Sequence, residues 1–225
     1  MTLDYFKEST ERILQKIKNG SSSKVPSRFK CVLNNGRNLT CFVITNKMIQ
    51  DKKTIQLLAK WRDRSNIWFP AQFPVTFKGT KEWAREQLLE KKDRILFFLQ
   101  IEGQKFPFGH VGLYRFNYSK RACEIDNVIR GKHGKSSKGA MTTGLQLLIE
   151  WAFIYLRMND LYLQVFSDNQ KAILLYKRLG FEEISKIPLV SVKENGVTRW
   201  IESKNAKKSN FRYFVKMHLS KTQKK

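Results

Sequence analysis

Ser167-Asp168-Asn169-Gln170-Lys171-Ala172-Ile173-Leu174-Leu175-Tyr176-Lys177-Arg178-Leu179-Gly180-Phe181 is the stretch on which the reading of this chain turns. Its spacing predicts a helix. Ser167 can cap the N-terminus, and Gln170 three residues on completes a capping box. Ala172, Tyr176 and Leu179 then share one face at i, i+4 and i+7. Gly180 is placed to stop the helix in the left-handed region, where the lack of a Cβ removes the steric penalty.

Working back from it, Leu161 to Val165 alternates as a strand. Before that, Met141 to Met158 reads as a helix that is apolar almost all round, as a helix packed on a sheet would be. A loop from Gly131 to Lys138 leads into it. Three β-prone runs precede the loop: Ile95 to Ile101, His110 to Phe116 and Ala122 to Arg130. The turns between them predict a meander. Further back, Thr54 to Arg64 and Thr80 to Lys91 read as helices joined by the loop Trp68-Phe69-Pro70-Ala71-Gln72-Phe73-Pro74, and Leu39 to Thr45 as a strand. Residues 1–19 read as a helix ended by Gly20, followed by the flexible joint Gly20-Ser21-Ser22-Ser23-Lys24. Residues 1–36 are thus expected to form a helical extension and joint, 37–220 the main domain and 221–225 a basic tail. Downstream of Phe181, Glu182 to Val192 and Phe211 to Leu219 are strand candidates, with an Asn195-Gly196 turn and a Lys-rich loop between them.

Composition limits the class. The chain has 225 residues, 41% of them hydrophobic, with 16 Phe and 5 Trp, enough for one substantial core. Its longest apolar stretch, Leu145 to Leu156, is broken by Gln146 and Glu150, so no membrane span is predicted. No signal-like apolar core follows the first charges. Cys31, Cys41 and Cys123 lack metal or redox spacing, and an odd count argues against a disulfide framework. A cytoplasmic protein with reduced thiols and no metal is expected. Lys and Arg total 43 against 19 Asp and Glu, a formal charge of +24. Such a field attracts polyanions. The positive charge is spread along the whole chain, however, and no nucleic-acid module accompanies it. It is read as solvated surface plus one site that needs local positive charge.

The pattern Asn-x-x-Ala-x-x-x-Tyr-x-x-x-Gly-Phe, carried by Asn169, Ala172, Tyr176, Gly180 and Phe181, resembles the coenzyme A-side helix of the GCN5-related N-acetyltransferases (GNAT). The order strand, loop, helix, strand, helix over Ala122–Phe181 is similar to that superfamily's core, and with the flanking strands the resemblance covers about Leu39–Leu219. It implies an α/β fold with a mixed, mostly antiparallel central sheet and helices on both faces. It also implies acetyl-CoA as co-substrate and direct transfer of acetyl to an amine. The helix N-terminus after the loop would hold the cofactor's pyrophosphate through free N–H groups and the helix dipole. Ser136, Ser137, Lys138, Gly139, Ala140, Met141 and Thr142 are the positions implied. Aligning Gly139 to the first glycine of the family pattern Gln/Arg-x-x-Gly-x-Gly/Ala puts Ser136 and Met141 in two departing places. Backbone amides of Val128, Ile129 and Arg130 are implied as donors to the thioester oxygen. Asn169 and Ala172 would face the cofactor, and Tyr176 would protonate the departing thiolate.

An amine must lose a proton before it attacks. Glu124 and Asp126 share a strand face, so either could take it directly or through water. Two neighbouring carboxylates raise one pKa towards the working pH. Equally, they could bind the substrate ammonium or pair with a cation, and these options stay open. His110 is a third candidate. The segment Trp61-Arg62-Asp63 is similar to one that begins many acetyltransferases of amino sugars and of ribosomal-protein N-termini. Glu124-Ile125-Asp126-Asn127 resembles members that act on nucleotide-linked amino sugars. Trp61, Arg62, Trp68, Phe69 and His110 are therefore candidates for the acceptor site, with aromatics to stack on a base or sugar. A nucleotide-linked amino sugar is the acceptor expected. The alternatives are a peptide N-terminus, with ribosome contact helped by the charge, and a non-catalytic binding module on the same fold.

Overall fold

The computed structural model describes residues 2–131, 139–203 and 212–224. Ten strands form one sheet: β1 (Arg28–Val32), β2 (Asn38–Val43), β3 (Ala71–Gln72), β4 (Ile95–Ile101), β5 (Gly109–Asn117), β6 (Ala122–Arg130), β7 (Asp160–Phe166), β8 (Glu182–Glu194), β9 (Val197–Glu202) and β10 (Arg212–Ser220). They lie in the order β1-β2-β4-β5-β6-β7-β10-β8-β9-β3. Every neighbouring pair is antiparallel except β6 and β7. The helices are α1 (Leu3–Lys18), α2 (Asn46–Ile49), α3 (Lys52–Arg64), α4 (Phe77–Trp83, continued by a π-helical turn over Ala84–Leu89), α5 (Ala140–Ile154) and α6 (Gln170–Arg178). None of the described helices is long and apolar enough to cross a membrane.

β4 explains why the sheet is covered on both faces. Its sequence is almost continuously apolar, the pattern of a strand with no solvent face. Ile95, Phe97, Leu99 and Ile101 point into one core with Leu145, Leu148 and Ala152 of α5. Leu96 and Phe98 point into the other, with Ile55, Leu58 and Trp61 of α3. Each such side chain contributes about 1.5–3 kcal/mol when fully buried. Phe6, Leu14 and Ile17 of α1 also sit in the first core. Lys18, at the end of that helix, is wholly buried and donates to the backbone carbonyls of Leu88 and Lys91. The first 36 residues thus supply a core helix and an edge strand. β1 left little trace in the sequence because its alternate residues are exposed.

Two other differences from the sequence reading concern local chemistry. Ser167 does not cap α6; Asn169 does, its side-chain oxygen accepting from the Ala172 amide at 3.3 Å. Gln170 Nε2 instead donates to the Ser167 carbonyl at 2.6 Å. Gly180 does end the helix with φ 91°. The Asn195-Gly196 turn takes positive φ at both residues, the conformation that favours a tight hairpin. It joins β8 to β9, and the latter occupies sequence read as part of a loop.

The site depends on one interruption in the sheet. β6 pairs with β7 only over Ala122–Glu124 against Asp160–Tyr162. Beyond that the two strands part. On its other side β6 carries a bulge: His110 pairs with Ile129 and Gly112 with Asp126, leaving Asn127 and Val128 opposite Val111 alone. Asn127 takes φ 50°, a left-handed conformation that bends the strand.

Candidate active site

A cavity of about 1560 Å3 opens where β6 and β7 separate. Pockets for one small ligand typically measure about 300–1,000 Å3, so this one has room for two. Its walls include Val128, Ile129, Arg130, Gly139, Met141, Thr142, Asn169, Ala172 and Tyr176 from the region read as the cofactor side. Arg62, Trp68, Phe69, His110, Glu124 and Asp126 line it as well. The fold brings these groups together around the end of β6. Ser136, Ser137 and Lys138 lie outside the described residues. Ala140 is fully buried and is not part of the wall.

Trp61 departs from the sequence expectation. It is 3% exposed, packs edge-on against Phe98 and belongs to the second core. A Cβ at Gly131 would stand 2.4 Å from its ring nitrogen, so that glycine lets the backbone cross the indole closely. Arg62 does reach the wall, but its guanidinium is engaged. It donates to Asn66 Oδ1 at 2.7 Å and the Ala71 carbonyl at 2.6 Å, and stacks on Phe69 at 3.8 Å. Burial lowers its pKa to about 10. Arg62 shapes the aromatic loop from within.

The two carboxylates of β6 have different surroundings. Asp126 accepts from Arg94 Nε at 3.2 Å and from Asn127 Nδ2 at 2.7 Å, and Arg94 Nη2 closes a second bond to the same oxygen. Arg94 is itself held by the Gln87 carbonyl at 3.1 Å and lies 4.0 Å above the Tyr114 ring. Glu124 has one looser partner, Arg115 Nη1 at 3.3 Å, whose side chain is mostly exposed. Burial raises the Glu124 pKa; Arg115 opposes this and Asp126 adds to it. Of the pair, Glu124 is the one that burial shifts upward and that the looser arginine contact holds.

Tyr176 is buried on α6 with its ring edge against Phe181. Burial, reinforced by the charge of Asp126, pushes its pKa well up, so the hydroxyl keeps its proton. No described residue hydrogen-bonds that hydroxyl, and the residue faces the cavity. His110 is fully buried, and desolvation lowers its pKa to about 4. The neutral ring donates from Nδ1 to the Asn127 carbonyl at 2.6 Å, which fixes the tautomer and pins the bulge. A base of that strength with one nitrogen occupied is poorly suited to deprotonate an amine.

Gly139 lies in the cavity wall at the start of α5. The residue is the N-cap of α5 at φ 80°, and a Cβ there would meet nothing within 4 Å. Arg94, Trp83, Tyr114, Arg115 and Trp200 were absent from the sequence reading although all line the cavity. No motif marks them, since they come from unrelated segments.

A family model described as an acetyltransferase (GNAT) domain matches residues 47–182. Spermidine N(1)-acetyltransferase of Vibrio cholerae is 28% identical over 133 residues, covering 59% of this chain and 74% of that protein. Spermidine N(1)-acetyltransferase of Escherichia coli K12 is 33% identical over 85 residues, 38% of this chain; the match spans 44% of that protein. Among solved structures, a point mutant of the Vibrio cholerae spermidine N-acetyltransferase superposes with a TM-score of 0.60 at 19% identity, covering 82% of this chain and 95% of that one. The manganese complex of the same organism's spermidine/spermine N-acetyltransferase gives 0.56 at 21%, covering 83% and 94%. At these identities the structures speak for the fold alone.

Proposed function

Since this chain belongs to the GNAT acetyltransferase family and so uses acetyl-CoA to acetylate an amine, we propose that its acceptor is a primary amine on a phosphate-bearing molecule, a nucleotide-linked amino sugar. The observation that carries this reading is the pairing of the acceptor-side carboxylates with arginines: Asp126 with Arg94, and Glu124 with Arg115. A polyamine brings several ammonium groups, each of which needs uncompensated negative charge. The described acceptor wall has three carboxylates, Glu124, Asp126 and Glu202, against Arg62, Arg94 and Arg115. A chain of formal charge +24 repels a polycation and draws in a diphosphate.

Bound acetyl-CoA supplies the activated acetyl group. Val128, Ile129 and Arg130 lie beyond the last β6–β7 pair and line the cavity, and amides of this stretch are the groups proposed to polarise the acetyl carbonyl. Glu124 takes a proton from the acceptor's ammonium, with its raised pKa suited to the exchange. As the nitrogen bonds to the acetyl carbon and the carbon–sulfur bond breaks, Tyr176 gives its proton to the leaving sulfur. It is restored by the proton that the acylated nitrogen sheds. Asp126, held by Arg94, lies two residues along the same strand from Glu124. Asn169 and the N-terminus of α5 bound the cofactor side.

A polyamine acceptor is the second reading, favoured by the names of the relatives. Thiol release from acetyl-CoA decides between them across a panel of nucleotide-linked amino sugars, spermidine and spermine, and N-terminal peptides. Turnover confined to nucleotide-linked amines is the expected result. Turnover confined to spermidine and spermine replaces the first reading with the second. Turnover on peptides alone overturns both.

A further inference from the structure

Three consecutive backbone carbonyls at the end of the π-helical turn accept from side chains. Gln87 accepts from Arg94 Nη1 at 3.1 Å, Leu88 from Lys18 Nζ at 3.1 Å and Leu89 from Gln15 Nε2 at 3.3 Å. Lys18 also donates to the Lys91 carbonyl, just beyond the turn. The last carbonyls of a helix have no partner within it and carry the negative end of its dipole, so they suit cationic donors. Two of these donors, Gln15 and Lys18, come from α1, which lies ahead of residues 47–182, the part of the chain that the family model matches. A lysine is almost never fully buried unless it is paired, and Lys18 has no exposed surface. Burial lowers its pKa to about 8 while the charge of Asp93 opposes the shift, so at neutral pH it keeps its proton and its donors.

What these donors hold reaches the cavity. Trp83, immediately before the π-helical turn, lines the acceptor wall, as does Arg94. Arg94 is fastened at one end to the Gln87 carbonyl and at the other to Asp126 through Nε and Nη2. Its guanidinium carbon also stands 5.7 Å from the Trp83 ring centre. A π-helical turn is rare and recurs at functional sites, where its poorer packing has to be supported from outside. Here the support is α1. Lys18 and Gln15 do not line the cavity themselves; they act through the neighbouring carbonyls of one turn. We infer that α1 is a positioning element of the active site: Lys18 and Gln15 fix the π-helical turn, and the turn fixes the Arg94–Asp126 pair on the acceptor wall. The inference rests on the reading that places the acceptor amine beside the carboxylates of β6.

Exchange of the Arg94 Nε–H with water, followed by nuclear magnetic resonance on the isotope-labelled full chain, tests it. The Arg212 Nε–H, accepted by Asp168, is the internal control. Lys18→Met should speed Arg94 exchange about tenfold and Gln15→Ala about threefold, because carbonyls of the turn lose their partners. Arg212 exchange and coenzyme A affinity should stay the same in both. In acetyl transfer, assayed with spermidine and with a uridine diphosphate-linked amino sugar, Lys18→Met should lower kcat/KM for the acceptor about tenfold. Placed in Arg94→Met, the same change should cost nothing further; an additive loss means that Lys18 acts by another route and overturns the inference. Arg94 exchange that keeps its native rate in both variants, or rises only in step with Arg212, also overturns it. If Lys18→Met does not fold, Gln15→Ala decides by the same readouts. The exchange measurement needs no acceptor. Turnover of spermidine alone would replace the acceptor reading and leave the inference standing, whereas unmoved Arg94 exchange strikes the inference and leaves the acceptor reading.

Discussion

The cofactor side of the cavity comes from one consecutive piece of chain, β6 to α6, running from Ala122 to Arg178. The acceptor side draws on Arg62 and the loop after it, Trp83, Arg94, Tyr114 and the distant β9. In the first, each functional group sits at a spacing set by one strand or one helix. Asn169 and Tyr176 are two turns apart on α6, and Glu124 and Asp126 are two apart on β6. In the second, side chains from remote segments meet through long-range contacts such as Arg94 with Asp126 and Arg212 with Ile67. The difference teaches where chemistry and where selectivity reside. On the function proposed above, the consecutive piece would hold the groups for acetyl transfer and the assembled wall those that select an amine.

Substitutions that respect or cross this division test it. Tyr176→Phe removes the proton donor and should lower kcat about 100- to 1000-fold. Heat protection by acetyl-CoA should survive; loss of that protection would make Tyr176 a binding group instead. Glu124→Gln should cost about 100-fold at neutral pH and abolish the acid limb of the kcat/KM profile. That limb should lie above the ordinary carboxylate value, because burial raises the Glu124 pKa. A limb that persists in the variant would assign the base elsewhere.

Gly139→Glu places a charged side chain at a left-handed position in the open part of the cavity. It should weaken acetyl-CoA about 30-fold or more, from backbone strain and like-charge repulsion. Acceptor affinity should be untouched, and a change in it would break the division between the two sides.

The smallest effect concerns the bulge between them. The pKa of His110 is about 4 in the folded chain against an ordinary 6.5, so the folded state disfavours the proton. The stability it confers is whole above pH 6.5 and is lost as the pH falls towards 4. Over that interval the native protein should lose up to about 3 kcal/mol that His110→Gln does not lose, read from urea unfolding midpoints. Parallel pH profiles would mean the buried imidazole is hydrated in solution.

The sequence already marked the strands β4, β5 and β6, the helix α5 and the helix α6, because each is long, periodic or bounded by turn residues. It missed β1, β3 and β9 for a shared reason. Each is at or near a sheet edge, short and half exposed, and edge strands carry little apolar pattern. It chose Ser167 over Asn169 as the cap, since both are good caps three residues from a suitable partner. It placed Trp61 in the acceptor site because an aromatic beside an arginine reads alike in a core and in a pocket. Only the contact with Gly131 and Phe98 separates the two.

By itself the sequence determined the family and put forward Glu124, Asp126 and Tyr176 as candidates, because those depend on spacings of two to seven residues along single elements. The tertiary structure alone decided which carboxylate Arg94 holds. Arg94 stands 32 positions before Asp126 and reaches it only because Ile95 pairs with Leu113 and Gly112 with Asp126. It also decided that burial holds His110 neutral. Burial and long-range pairing fix those properties, and neither is a function of local spacing.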